Sequence, residues 1–349
     1  MFLIIKFLLL ILFFLNSCSV DSPITESTTP IIYKLSFDTL DVTDTLKIYG
    51  NNFGIKDNLS YINISNIKIS SNNCIKWQNN EIWLVIPDTA STSDIFIYRN
   101  GNKSNSIKLT INNYPKFNII LVENGEFTIG SSNGSIDEQP TKKIILTRNF
   151  YISETEISQR LYRIVMKNNP SIIKSDELPV NNVSWLDAVK FCNNLSEINN
   201  LKPVYNISGD LVNWDTTANG WRLPTEAEWE YACRAGTNTD YYSNSLDNIG
   251  WYSDNSGNNL KPSKMKQPNK FGLYDMHGNL WEWCYDYYQE NYYEIINQIN
   301  PIGPKTGNRR VLRGGSFDQG ASYARSSNRS IPEDLKGSIG IRIVRTKFD

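Results

Sequence analysis

Gly220-Trp221-Arg222-Leu223-Pro224-Thr225-Glu226-Ala227-Glu228-Trp229-Glu230-Tyr231-Ala232-Cys233-Arg234-Ala235-Gly236 is the stretch from which the rest of the chain can be read. Pro224 precedes a capping pair, Thr225 and, three residues on, Glu228. In such a pair the hydroxyl accepts from a free helical N–H and the acid returns to the N–H of the cap. The helix is predicted to run through Trp229 and Ala232 and to stop at Gly236, a residue that readily turns left-handed. The same device recurs upstream. Ser184 with Asp187 starts a helix whose apolar residues Trp185, Ala188, Val189, Cys192 and Leu195 share one face. Ser158 can cap a third helix carrying Leu161, Ile164 and Val165. Before these come a strand at 117–122, a hairpin at 125–130, the acidic loop Asp137-Glu138-Gln139-Pro140 and a strand at 143–146.

Two more blocks are rich in Gly or Trp: F-G-L-Y-D-M-H-G-N-L-W-E-W (271–283) and R-V-L-R-G-G-S-F (310–317). P-V-N-N-V-S-W (179–185) and G-I-R-I-V-R (340–345) fit in order. Together these blocks resemble the signatures of the formylglycine-generating, or sulfatase-modifying factor, family across 116–349. The resemblance implies an α+β domain related to the C-type lectin fold, with little regular structure. Loop-heavy folds of that kind commonly need ions or disulfides as staples.

Active members of that family oxidise a substrate cysteine to formylglycine, using molecular oxygen and copper held by two cysteines just after the R-G-G-S-F block. Cu(I) prefers soft thiolates. At the aligned positions this chain has Gln319 and Ala324, and no cysteine follows Cys284. Neither an amide nor a methyl group replaces a thiolate, so copper and the oxidase activity are not expected. Arg313, Asp318, Tyr323 and Arg325 are candidates to line a cleft beside these positions, for a binding partner or for another enzyme's substrate. Cys192 and Cys233 match positions that the family uses for structural cysteines. They read as buried thiols, with a bond between them left open.

The single histidine, His277, excludes sites that need two imidazoles, including the iron chemistry of the related sulfoxide synthases. His277 itself reads as structural. The resemblance also implies calcium, a hard ion that takes oxygen ligands. The first matching set is Asp275 and Glu282 through side chains, with Gly278 and Leu280 through carbonyls. The second includes Asn248 and Ile249, with Asp254 as a further acid.

The preceding third of the chain is of another kind. Short strands at 46–49, 61–64, 67–69, 81–86, 95–98 and 107–111 are separated by turns such as Pro87-Asp88 and Asn100-Gly101. That pattern predicts a small immunoglobulin-like β-sandwich over 31–113. I-Y-G-N-N-F-G (48–54) and I-W-L-V-I-P (82–87) resemble the IPT/TIG family, whose modules serve as spacers or adhesive units. Residues 1–17 hold one charge, Lys6, and an apolar run at 7–15 too short for a comfortable membrane span. They end in Leu15-Asn16-Ser17-Cys18, which resembles a bacterial lipobox. Cleavage before Cys18, acylation there and a tether over 18–30 follow from it.

A net charge of −1 gives no case for nucleic acid. The expected protein is a lipid-anchored lipoprotein of the bacterial cell envelope, periplasmic or surface-exposed. Its C-terminal domain would bind a protein, peptide or glycan. The alternative is a formylglycine-generating oxidoreductase, or another enzyme using the same cleft.

Overall fold

The computed structural model describes residues 29–112, 117–209, 211–332 and 337–348. Cys18, its signal segment and nearly all of the tether lie outside the described residues. By backbone proximity the chain divides into two compact units. One takes in the described residues up to Asp38 together with Leu46–Leu84 and Ser93–Leu109. The other takes in Thr39–Thr45, Val85–Thr92 and the chain from Thr110 onward.

The first unit is built of strands, with one short 3-10 turn at Ser71–Asn73. Ile31–Leu35 pairs with Thr45–Asn51, and Lys76–Gln78 pairs with Glu81–Val85 in the same sheet. In a second sheet Tyr61–Ile64 lies between Ile67–Ser70 and Ser93–Arg99. Alternate residues are buried, as a pleated strand with one covered face requires. Leu46, Ile48, Ile62, Ile64, Ile82, Leu84, Ile95 and Ile97 are fully buried. The I-Y-G-N-N-F-G turn has a steric cause. A Cβ on Gly50 would lie 2.0 Å from the Ile31 carbonyl oxygen, and Gly54 holds φ +72°. Phe53 is buried there, and its carbonyl accepts the Trp77 indole N–H at 2.8 Å.

The second unit has the sparse regular structure that the signature blocks imply. A three-stranded sheet joins Ile119–Val122, Phe150–Ser153 and Val344–Thr346, so distant parts of the sequence meet in it. Gly125–Ile129 and Lys142–Leu146 form a hairpin. Trp281–Tyr287 lies between Arg310–Arg313 and Ile339–Gly340. Three helices stand where the caps place them: α1 (Gln159–Met166), α2 (Trp185–Ile198) and α3 (Glu226–Arg234). On α3 the Thr225 hydroxyl accepts from the Glu228 N–H at 3.1 Å, and the Glu228 carboxylate accepts from the Thr225 N–H at 2.9 Å. On α2 the return bond differs. Ser184 accepts from the Asp187 N–H but donates its own hydroxyl to the Asp187 carboxylate. The turn after α3 begins one residue before the predicted glycine, with Ala235 at φ 44° ahead of Gly236 at φ 89°. Among the described residues no helix is long and apolar enough to cross a membrane.

Candidate functional site

The signature blocks converge first on buried charge. Arg313 ends a strand with no exposed surface. Its guanidinium donates to Glu226 at 3.2 Å, to Glu230, and to the carbonyls of Ser326 and Ser327 at 2.7 and 3.1 Å. Arg329 holds Glu226 from another direction through two bonds of 2.6 and 2.9 Å. Arg234 donates to Glu230 at 2.8 Å. Burial by itself would raise the Glu226 carboxyl pKa, but Arg329 and Arg313 hold it below the usual range. Arg313 therefore does not line a cleft, as the sequence suggested. It is an interior staple, because the first turns of α3 present two glutamates to it. A second pair, Arg342 and Glu282, is closed by bonds of 2.9 and 3.0 Å. The Trp229 indole N–H adds a bond to Glu282 at 2.6 Å. The staples of this loop-rich domain are ion pairs that its own motifs supply.

The loop after Arg313 carries the positions where copper thiolates would stand. Gly314 and Gly315 both have positive φ, 101° and 77°. A Cβ on Gly315 would sit 2.9 Å from the backbone N of Ala324, so the loop folds back tightly on itself. Ala324 is 1% exposed and packs with Leu246 and Ile249 under the rings of Tyr241, Tyr242 and Tyr252. The position is filled. Gln319 is half-buried, and its carbonyl accepts from the Ser253 N–H at 2.9 Å. Asp318 spends its two oxygens on the hydroxyls of Ser316 and Ser338, both at 2.6 Å. Arg325 makes a two-pronged pair with Glu138. Tyr323 is 44% exposed and meets Trp281 edge-on, 6.2 Å between ring centres. Asp318 and Arg325, expected to face a ligand, instead tie down the loop.

His277 completes the packing. It is fully buried, which pushes its pKa down to about 4. The Nδ1 atom lies 2.6 Å from the Ala324 carbonyl, so that nitrogen donates and Nε2 is left to accept from the Tyr242 N–H at 3.3 Å. Cys233 Sγ lies 3.8 Å from Nε2, yet burial raises the thiol pKa to about 12. A neutral thiol beside a neutral imidazole is not an activated nucleophile. Cys74, Cys192, Cys233 and Cys284 are all free and buried, so Cys192 and Cys233 are not bonded to each other.

The two calcium sets fare differently. Asp275 is buried at φ 56°; its Oδ2 accepts from the Lys264 N–H at 2.9 Å, and its Oδ1 has no partner. Burial raises its carboxyl pKa to about 6. Gly278 is required in this turn, since a Cβ there would lie 1.9 Å from the Trp251 carbonyl oxygen. Glu282, by contrast, has both oxygens engaged by Arg342. Glu156 was not singled out from the sequence. It is buried, accepts from Asn279 at 3.0 Å, and has its pKa raised well above the usual range by burial and by the Asp275 charge. Only its place in the S-E-T-E run after a strand could have drawn attention to it. The second set lies in a tightly bonded loop beside a lysine. The ammonium of Lys266 donates to the Asp247 carbonyl and stands 3.9 Å over the Trp251 ring. The Asn248 carbonyl accepts from the Gln267 N–H, Ile249 is buried against Ala324, and Asp254 binds Ser253. Among the described residues no group of three or more His, Cys, Asp or Glu side chains is arranged to hold a metal.

Residues 110–347 match the family described as "Sulfatase-modifying factor enzyme 1-like domain". The "Chaperone protein LppX" of Paenibacillus barcinonensis is 32% identical over 267 residues, covering 66% of this chain and 89% of that protein. The "Formylglycine-generating enzyme" of Streptomyces coelicolor is 38% identical over 159 residues, covering 38% of this chain and 50% of the enzyme. The chain thus spans about half the length of that enzyme. Among solved structures, "Treponema denticola variable protein 1" aligns with a TM-score of 0.62 at 30% identity, over 74% of this chain and 100% of the other.

Proposed function

Because the chain belongs to the family of sulfatase-modifying factor enzyme 1-like domains, we propose that it uses the family fold as a non-catalytic binding or scaffold module, held at the bacterial cell envelope by lipid on Cys18. One observation carries this reading. Ala324, aligned with a copper-binding cysteine, is a buried methyl group packed among tyrosines. The relative called a chaperone favours a protein or peptide as the partner over a glycan. The test is direct. The protein is incubated with a cysteine peptide of the sulfatase type, copper and oxygen, and the peptide is weighed by mass spectrometry. Its thiol should survive; an aldehyde in its place would overturn the reading.

The anchor is tested separately. Radiolabelled fatty acid should enter the wild-type protein and be absent from Cys18→Ala. Equal labelling of both removes the anchor from the proposal.

Calcium at the first set would be held by the unpartnered oxygen of Asp275 with the carbonyls of Gly278 and Leu280, and Glu282 would join them only by giving up its bonds to Arg342. It would supply cross-linking of the turn and no reaction step. A ligand present at 100 times its dissociation constant stabilises the folded state by about 3 kcal/mol. Chelator should therefore lower the melting temperature of the wild type, and Asp275→Asn should no longer respond. A wild type indifferent to chelator counts against the ion.

A further inference from the structure

A cleft of about 270 Å³ opens at the N-terminal end of α3. Leu146, Pro301, Ile302 and Trp214 form its apolar part, and Arg148 and Arg222 its charged part. Leu146 and Pro301 are buried, whereas Ile302 is 47% exposed at the surface.

The polar groups of this cleft are unbalanced towards donors. Arg222 is 3% exposed; it gives two bonds to Glu228, at 2.6 and 2.7 Å, one to the Thr346 hydroxyl at 3.0 Å and one to the Leu223 carbonyl at 3.3 Å, and its buried Nε has no partner. Glu228 also accepts the Thr225 N–H, so its oxygens are taken. The side-chain oxygens of Asn149 and Asn300 accept backbone N–H groups of Asn124 and Thr147 at 2.7 and 2.8 Å. Arg148 is exposed and forms no ion pair among the described residues; its guanidinium only faces the Phe348 ring at 5.9 Å. Two guanidinium groups thus face one carboxylate, which leaves the lining with one excess positive charge. A guanidinium with free N–H groups binds a carboxylate through two parallel bonds.

We propose that this cleft binds a carboxylate carried on an apolar group. That is the chemistry of a peptide chain end whose last side chain is aliphatic or aromatic, and equally of a free apolar acid. The size agrees: ligand pockets usually begin near 300 Å³, so a cleft of this volume takes one side chain and its carboxylate. Captured chain ends are an established mode of peptide recognition. The proposal goes beyond the binding-module reading and does not depend on it. The cleft adjoins Thr225 and Glu228 at one end of α3, whereas Cys233 near the other end faces His277 and Ser326. An α-helix of nine residues is about 13 Å long.

The experiment titrates the full chain with three probes by calorimetry: a hexapeptide ending in leucine as the free acid, the same peptide as its amide, and N-acetyl-leucine. The free acid should bind, with the amide weaker by roughly tenfold or more, since the charge-assisted bonds are lost. Arg148→Gln should weaken the free acid by a similar factor at an unchanged melting temperature, and Ile302→Asp should do the same by placing a negative charge at the cleft. N-acetyl-leucine binding as tightly as the peptide assigns the site to small acids; a peptide preference assigns it to chain ends. Either supports the proposal. Equal binding of acid and amide, no effect of Arg148→Gln, or no binding by any probe overturns it. None of these results bears on the formylglycine test, so the two readings fail separately.

Discussion

Glu226→Ala should unfold the second unit or bring it close to unfolding. Glu226 is 1% exposed and is the shared partner of Arg313 and Arg329. Removing one partner of a buried ion pair costs about 3–5 kcal/mol, because the remaining charge stays buried without compensation. Here two guanidinium groups lose their acceptor at once, although Arg313 retains Glu230. Whole domains are stable by only about 5–15 kcal/mol. Urea unfolding followed by tryptophan fluorescence should therefore move to much lower denaturant. Glu126→Ala is the control. Its partner is Lys143, both side chains are about 60% exposed, and such surface pairs contribute about 1 kcal/mol or less. A Glu226→Ala protein as stable as Glu126→Ala would remove the ion-pair account of the fold. The pH dependence has a definite sign. The folded-state pKa of Glu226 is depressed, so its stabilisation is complete above the unfolded value of about 4.3 and is lost as pH falls through the lower folded value. Glu226→Gln should flatten that part of the acid limb.

Restoring the cysteine pair, Gln319→Cys with Ala324→Cys, should not restore formylglycine formation. The sulfur added to the side chain at position 324 would enter a space already filled by Leu246, Ile249 and three tyrosine rings. Enlarging a side chain in a packed core costs about 1–3 kcal/mol. His277 fixes the carbonyl of the same residue at 2.6 Å, so the backbone has little freedom to turn a sulfur outward. A thiolate in that setting would also be disfavoured by burial, as Cys233 illustrates with its pKa raised to about 12. Mass spectrometry should find the substrate thiol intact with the double variant. An aldehyde product would mean that the loop is far more adaptable than its packing implies.

The parts of this architecture that could be read from sequence are those governed by neighbours in sequence. The caps at Ser158, Ser184 and Thr225 depend on residues three positions away, and all three helices begin where they predict. The filled loop could not be read, because the tyrosines over Ala324 come from residues 241–252. Arg313 was misplaced for a related reason. An arginine is rarely fully buried unless paired, and its partners lie on α3, 83 and 87 residues earlier. Glu156 was missed because its importance arises only beside Asp275, on a different turn. The assignment of residues 39–45 and 85–92 to the second unit also leaves no local trace, since their alternation is that of ordinary strand and turn.

The pairing of Val344–Thr346 with Phe150–Ser153, and of Arg342 with Glu282, sets an order of events. A nascent chain grown to residue 330 already holds Glu282 but lacks its guanidinium, and it has an open sheet edge where the late strand belongs. Contacts between residues so far apart in sequence form slowly, because the loop must close first. A domain that cannot lock before residues 342–346 have been made stays loose until they join it.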